Sequence, residues 1–563
     1  MKTIIVGGVA GGASAAARLR RLDEHAEITI YERSGYISYA NCGLPYYIGG
    51  VIADKEDLTL QTPESFYKRF GIVAKVRHEV IDINLTEKTV TVRNLETDEV
   101  FEDSYDKLVL APGAKAVKPN IPGIDSEKIY TLRTVEDTFK IYDHLRDTGA
   151  QSAVVVGGGF VGLEMAENLV RMGLDVTLAE AAPQVLSILD GDMVAQIHAL
   201  LRKNGIKLLL GSGITSFEKA DGKIASVFGN GEKLASDLVL LAIGVAPDTA
   251  LAAKAGLKTG LKGSIVVNDK METSVPDIYA VGDAVEITHF ITGEKALVSL
   301  AGPANKQGRI VADNIVGGDS RYKGSQGSSV IKLFDMTAAA TGINERQAKS
   351  IGLDYEKVIL SPASHASYYP GGNVMTIKVL FERQNERILG AQIVGVDGVD
   401  KRIDVIATAI RAGMKATELA ELELAYAPPY SSAKDPVNMA GFIIENLATG
   451  KVRQFYYEDV AGLPRDGSVF LLDTRTPAEY MRGHAEGFAN IPVDDLRQRI
   501  SEIPEGKPVY VMCQSGVRSY IACRILSGMG YECFNFAGGY RFYSLVENEE
   551  LVHKSSYDCG MNK

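Results

Sequence analysis

Cysteine is scarce in this chain of 563 residues. There are five, Cys42, Cys513, Cys523, Cys533 and Cys559, so one thiol stands alone in the first 512 positions. An odd and uneven set cannot build a disulfide framework. No Cys-x-x-Cys and no Cys/His cluster at ligand spacing occurs, so no metal site is expected. No apolar run approaches the roughly 18 residues of a membrane span. Positive charge is not in excess: the formal balance is -11, which argues against nucleic acid or an anionic membrane as the main partner. The N-terminus enters a strand at once, so no secretory leader is expected, and the thiols point to a reducing cytoplasm. The hydrophobic content, 46%, is ordinary for a globular chain. Roughly four domains fit the length at about 150 residues each.

The lone thiol sits in Ser38-Tyr39-Ala40-Asn41-Cys42-Gly43-Leu44-Pro45-Tyr46. A free cysteine is most often a small buried apolar residue. Its surroundings point elsewhere. A strand over 2–7 runs into Gly7-Gly8-Val9-Ala10-Gly11-Gly12, a helix follows through Ser14–Leu22, and a second strand over 28–31 ends at Glu32, with Arg33 next. This is a βαβ dinucleotide unit: glycines admit the pyrophosphate, the helix N-terminus offers N–H groups, and the acid takes a ribose hydroxyl. Val9 replaces the middle glycine of the pattern, so this copy alone is weak.

A second copy strengthens the reading. Ala153-Val154-Val155-Val156 leads into Gly157-Gly158-Gly159-Phe160-Val161-Gly162, and the next strand ends at Glu180. Two such units imply two dinucleotides on one chain. Glu180 would repel a 2′-phosphate and no arginine follows nearby, which favours NADH while leaving NADPH open. Two apolar strands end in glycine turns, one at Ala111-Pro112-Gly113 and one at Gly244, and Val281-Gly282-Asp283 carries a carboxylate on a turn.

These motifs, in this order, resemble the pyridine nucleotide-disulfide oxidoreductases over about residues 1–450. The resemblance implies an α/β chain with FAD in the first unit (residues 1–149 and 271–322) and NADH in the second (150–270). It implies Gly7, Gly12, Glu32, Arg33, Ala111, Gly113 and Asp283 at the flavin nucleotide, Asp283 at the ribitol. Gly157, Gly159, Gly162, Glu180 and Gly244 fall to the nicotinamide nucleotide. After Gly317-Gly318-Asp319-Ser320, a plausible linker, residues 323–450 resemble the family's α+β dimerisation domain, implying a homodimer. Beyond Tyr456 the motifs Asp473-Thr474-Arg475, Cys513-Gln514-Ser515-Gly516-Val517-Arg518 and Ala537-Gly538-Gly539 resemble a rhodanese domain, again α/β, over about 461–552.

Glutathione reductase-like members pair two cysteines in a C-x4-C loop; here the second position is Tyr47. Cys42 therefore carries its oxidised partner externally, as mixed disulfide, persulfide or sulfenic acid. Asn-Cys-Gly-Leu-Pro-Tyr with one cysteine resembles coenzyme A-disulfide reductases, and also NADH oxidases and peroxidases. The histidine that peroxidase-like members place in the first glycine loop is Ala10 here. Tyr368 and Tyr426 resemble the tyrosine pair that coenzyme A-disulfide reductases bring to the cysteine from the opposite subunit; interface packing is the alternative. For the coenzyme A phosphates the resemblance points to Ser14, Arg18, Arg21, Ser38, Asn41 and Lys434, with Lys68 and Arg69 as weaker candidates.

Cys513 to Arg518 reads as a loop ahead of a helix starting near Ser519. Its N–H groups favour a thiolate or persulfide anion, and such settings lower a cysteine pKa to roughly 3.5–7.5. Phosphatase loops of related shape have five or more residues between Cys and Arg; this one has four, which suits a sulfur-sized ligand. Asp473, Arg475 and Gly538 are expected to hold the loop, Cys523 and Cys533 to pack, and Cys559 to lie in a polar tail.

The expected function is a flavin-dependent NADH oxidoreductase. It reduces coenzyme A persulfide, polysulfide or coenzyme A disulfide through Cys42, while Cys513 handles sulfane sulfur. The alternatives are an NADH oxidase cycling through a sulfenic acid, and a non-enzymatic thiol sensor.

Overall fold

The structure is a computed structural model that describes residues 1–558, with side chains described as far as Val552; Cys559 lies outside the described residues. The chain forms two compact units, one of residues 1–186 with 204–327, the other of residues 187–203 with the chain from Ser328 onward.

The first unit holds two parallel five-stranded sheets of one plan. In the first, the order is Ile278–Ala280, Lys107–Leu110, Lys2–Val6, Glu27–Glu32, Val73–Val76. In the second it is Ile129–Thr131, Leu238–Leu241, Ser152–Val156, Asp175–Glu180, Lys207–Leu210. Their strands are β-branched and apolar on both faces, as covered parallel strands must be: Ile4, Ile5, Ile30, Val109, Val155 and Leu240 are completely buried. In each sheet the strand before the glycine turn lies between its successor and a strand from far down the chain. The turn therefore opens where strand order reverses, the place where such sheets bind ligands.

The first glycine helix, Ala10–Leu22, starts four residues earlier than its sequence indicates. Gly11 and Gly12 are helical because the helix is pressed onto its surroundings: a Cβ on Gly12 would stand 1.9 Å from the Gly7 carbonyl oxygen.

The second unit contains an antiparallel sheet in the order Ser329–Leu333, Met336–Gly342, Ile388–Gly395, Thr376–Glu382, Tyr355–Leu360. Its strand Thr376–Glu382 pairs with Ile388–Gly395 from Thr376 opposite Val394. Residues 187–203, which the sequence assigns to the second nucleotide unit, group here. Lys378 explains it. Its ammonium is fully buried and pairs with Asp190 (3.1 Å), Asp192 (2.9 Å) and Glu345. Gln392, its cross-strand neighbour, exchanges hydrogen bonds with Asp190 through both ends of its amide, each 2.7 Å. A parallel five-stranded sheet follows, Gln454–Phe455, Cys533–Phe536, Val509–Met512, Phe470–Asp473, Ala489–Asn490. Cys523 and Cys533 are buried in its core.

Candidate active sites

Both glycine turns are shaped for a ligand backbone. Gly7 and Gly157 have φ of +97° and +113°, and a Cβ there would stand 2.1 Å from the Ala111 carbonyl and 2.3 Å from the Ala242 carbonyl. Glu32 accepts from the N–H of Gly8 (2.8 Å) and of Ser34 (2.8 Å); Glu180 accepts from Gly158 (2.6 Å) and Ala182 (2.8 Å). Each acid is thus locked at the mouth of its turn. A cavity of about 230 Å³ opens over the first turn, lined by Gly7, Val9, Glu32, Arg33, Ala111 and Gly113 among others. Val9, in place of the middle glycine, is the residue capping the helix and lines this cavity. Arg33 pairs with Asp248 at 2.7 Å across the same cavity. Open space surrounds Gly159 and Gly244, so both leave room for a ligand. These features fit two dinucleotides.

Cys42 sits in a one-turn helix, Asn41–Gly43, and is an exposed free thiol. Ser38, just before it, holds a φ of +47° and donates its N–H to Gly8 O at 2.8 Å, so the loop is pinned to the first glycine turn at the expense of local strain. Tyr47, where relatives with a C-x4-C loop have their second cysteine, packs against Phe139 and Tyr142, with ring centroids 5.8 and 5.2 Å apart. Burial raises the Cys42 thiol above its ordinary pKa, Glu164 raises it further, Arg133 opposes and Asp283 adds. Arg133 donates to Asp283 at 2.6 Å and to the Ala114 carbonyl at 3.1 Å, fixing that carboxylate on its turn.

The residues named for a phosphate-bearing substrate fall in different places. Ser14 donates to Asn305 (2.8 Å) and Arg18 is paired with Asp313 (2.8 Å), so both are already engaged. Arg21 is exposed on the last turn of the same helix. Ser38 and Asn41 flank the thiol, and Asn41 lines the cavity. Lys434 lines a different cavity, in the second unit, together with Ser515, Gly516 and Val517. Tyr368 and Tyr426, both exposed, are hydrogen-bonded to each other.

Cys513 ends the strand Val509–Met512 and is fully buried. Its sulfur accepts from Gly516 N–H (3.1 Å) and the Ser519 hydroxyl (3.2 Å). The helix begins at Val517, not Ser519, because Gly516 with a φ of +98° closes the loop and caps it. Arg518 therefore belongs to the first helical turn. Its guanidinium grips Glu479 in bidentate fashion, at 2.7 and 2.8 Å, and holds that carboxyl down at about 2. Asp473 and Arg475 form a buried ion pair (2.7 Å), with the guanidinium 3.8 Å from the Tyr540 ring centre. The Tyr540 N–H in turn donates to Cys513 O at 2.6 Å. They support the loop, as their sequence pattern implies.

Residues 1–308 match the family described as pyridine nucleotide-disulphide oxidoreductase, residues 328–436 that family's dimerisation domain, and residues 457–544 the rhodanese-like domain. The chain is a pyridine nucleotide-disulphide oxidoreductase. The coenzyme A disulfide reductase of Staphylococcus haemolyticus (strain JCSC1435) is 40% identical over 447 residues, 79% of this chain and 100% of that protein. Reduced CoADR-RHD of Bacillus anthracis is 46% identical with a TM-score of 0.95, covering 97% of this chain and 98% of that one. The NAD-dependent persulfide reductase from A. fulgidus is 38% identical with a TM-score of 0.91, covering 96% and 100%. Enzymes of this family work with FAD and a pyridine nucleotide. No described helix is long and apolar enough to cross a membrane.

Two residues of this oxidoreductase escaped the sequence: Glu164, the largest charge influence on Cys42, and Arg133, which clamps Asp283. Glu164 left a signal, an acid between the apolar Leu163 and Met165 just past a nucleotide loop. Arg133 left none, since only the fold brings it to Asp283.

Proposed function

We propose that this oxidoreductase uses NADH to cleave coenzyme A persulfide, polysulfide or coenzyme A disulfide at Cys42, and that its rhodanese domain moves sulfane sulfur on Cys513. One observation carries the reading: Cys42 is a free, exposed thiol with no second cysteine in its unit, so its bonding partner comes from outside. The names of the relatives supply the substrate class, coenzyme A disulfide and persulfide.

The Cys42 thiolate attacks the inner sulfur of the persulfide, the S–S bond breaks, and hydrosulfide leaves as a mixed disulfide of Cys42 and coenzyme A forms. With coenzyme A disulfide, the leaving group is coenzyme A thiolate. FAD held in the first unit would supply the two electrons, drawn from NADH, that split the mixed disulfide into the Cys42 thiolate and coenzyme A thiolate. Asp283, held by Arg133, would hold the flavin ribitol, while Gly7, Gly12, Glu32, Arg33, Ala111 and Gly113 would seat the rest of that cofactor. Gly157, Gly159, Gly162, Glu180 and Gly244 seat NADH, the Glu180 charge disfavouring a 2′-phosphate. Arg21, Ser38 and Asn41 receive the substrate; Arg18 joins them only by leaving Asp313. The active form is a homodimer in the cytoplasm, Tyr368, Tyr426 and Lys434 serving the partner's Cys42. The domain limits are 1–149 with 271–322, 150–270, 323–450 and 461–552. An oxidase reading has less support, because the relatives above carry reductase names.

The test is sulfide release from coenzyme A persulfide with NADH. Wild type releases one sulfide per NADH and Cys42→Ser none. Undiminished release by Cys42→Ser contradicts the reading.

A further inference from the structure

Tyr368 and Tyr426 sit on two loops of the second unit that contain no helix or strand. The first loop, residues 361–375, leaves the strand Tyr355–Leu360 and returns in Thr376–Glu382. The second, residues 422–435, ends where the helix Pro436–Ala448 begins. The rings are 74% and 45% exposed, so their own burial does not fix the pair. Something else must hold two loops in register for two hydroxyls to meet.

Both loops converge on Arg402. It lies on the helix Val399–Ala412 and is 1% exposed. Its Nη2 meets Ser364 O (3.0 Å) from the first loop. The same nitrogen meets Tyr430 O (3.2 Å), Ser431 Oγ (3.1 Å) and Asp435 Oδ2 (3.1 Å) from the second. Nη1 donates to Gly398 O at 3.2 Å. Gly398 has a φ of +69°, and a Cβ there would stand 2.1 Å from Nη1, so only glycine admits the guanidinium. Ser364 precedes Tyr368 by four residues and Tyr430 follows Tyr426 by four. The loops also touch directly, Ala366 N–H donating to Ser431 O at 3.0 Å. Ser431 Oγ donates to Asp435 Oδ2 at 2.7 Å, and Asp435 caps its helix through Val437 N–H at 3.0 Å. A buried cation is costly unless it is paired and hydrogen-bonded. Arginine meets that demand here because its planar fork serves several oxygens at once.

We propose that Arg402 is a positioning residue of the reductase reaction: by bonding Ser364 and Tyr430 through one nitrogen, it sets the spacing at which the Tyr368 and Tyr426 hydroxyls meet. Arg402 itself touches no substrate and moves no proton. It spares the tyrosine pair the entropy of assembling while the leaving group waits. The inference rests on the role proposed above for the two tyrosines.

The test reads geometry and rate separately. Fluorotyrosine is placed at position 426 of the flavin-loaded enzyme, and its fluorine NMR signal is followed against pH. The bond to Tyr368 raises the Tyr426 midpoint, so Tyr368→Phe should lower it. Arg402→Gln should lower it to the same value, and Arg402→Lys, which keeps a cation beside Asp435, should fall between. A midpoint in Arg402→Gln that stays at wild type overturns the proposal. In NADH oxidation with coenzyme A disulfide, Arg402→Gln should lower kcat at least about tenfold with KM little changed. Added to the double variant Tyr368→Phe, Tyr426→Phe, it should cost nothing further, because the pair it serves is gone. A full loss that persists in that background marks a residue that only supports the fold, and overturns the proposal. Thiocyanate formation at Cys513 should stay at the wild-type rate throughout, reporting an intact second unit. Should Arg402→Gln not fold, Ser431→Ala, which takes one oxygen from Nη2, decides by the same two readouts with smaller shifts. A tyrosine double variant as fast as wild type would instead remove the role proposed for the tyrosines, and the fluorine midpoints would still report whether Arg402 holds their contact.

Discussion

The hydroxyl groups of Tyr368 and Tyr426 lie 2.6 Å apart, from segments separated by 58 residues. The bond raises the Tyr426 pKa, so that phenol holds its proton, and whichever hydroxyl accepts in the pair keeps its own hydrogen free to donate. A donor aimed at a departing thiolate is worth roughly two orders of magnitude in rate. Tyr426→Phe and Tyr368→Phe should each lower kcat about 10- to 100-fold with KM little changed, measured as NADH oxidation with coenzyme A disulfide. Losses in the double variant should be less than the product of the two, since either substitution breaks the same bond.

Cys513 is served by two donors, Gly516 N–H and Ser519 Oγ. Hydrogen bonds to a charged group contribute about 1.5–3 kcal/mol. Ser519→Ala should therefore slow sulfur transfer from thiosulfate or polysulfide at least about tenfold, read as thiocyanate formed with cyanide. Cys513→Ser should abolish it and leave coenzyme A persulfide reduction at Cys42 intact. Equal loss in both assays contradicts the division of labour.

Glu180 is held by two backbone N–H groups at the second turn, where a ribose 2′-position would come. Glu180→Ala should lower the preference for NADH over NADPH about tenfold, compared as kcat/KM, chiefly by improving NADPH.

Lys378 stands among Asp190, Asp192 and Glu345 without exposure to water. Although burial opposes it, Lys378 and Lys357 hold Glu345 at about 2. A carboxyl depressed below its unfolded value stabilises above about pH 4.5, and that stabilisation fades as pH falls toward 2. Removing one partner of a buried ion pair costs about 3–5 kcal/mol. Lys378→Met should lose that much in urea unfolding at pH 7. Its unpaired carboxyls then have raised pKa values, so it should regain stability on acidification, the reverse of wild type.

Local signals were enough for much of this chain. Glycine turns after β-branched strands, with an acid closing the next strand, located both nucleotide sheets, and one cysteine without a C-x4-C partner located the thiol site. The Tyr368–Tyr426 contact was legible only through resemblance, since nothing local relates the two segments. That residues 187–203 group with the second unit was not legible, because Lys378, which pairs with them, is an isolated lysine in an apolar strand and gives no hint of its three carboxylates. Arg18 looked free for a phosphate because Asp313 is nearly 300 positions away. The helix boundary at Val517 moved because a left-handed glycine, invisible as such in the sequence, caps it. Charge pairing across long separations is what sequence reading could not see.

The central claim is that Cys42 forms a bond to sulfur from outside. The enzyme, once reduced, is mixed anaerobically with one equivalent of coenzyme A disulfide, quenched in acid and digested, and the Cys42 peptide is weighed. The account predicts that this peptide carries one coenzyme A in mixed disulfide linkage, and that the adduct disappears when NADH is supplied. An unmodified Cys42 peptide in an enzyme that still turns over would contradict it.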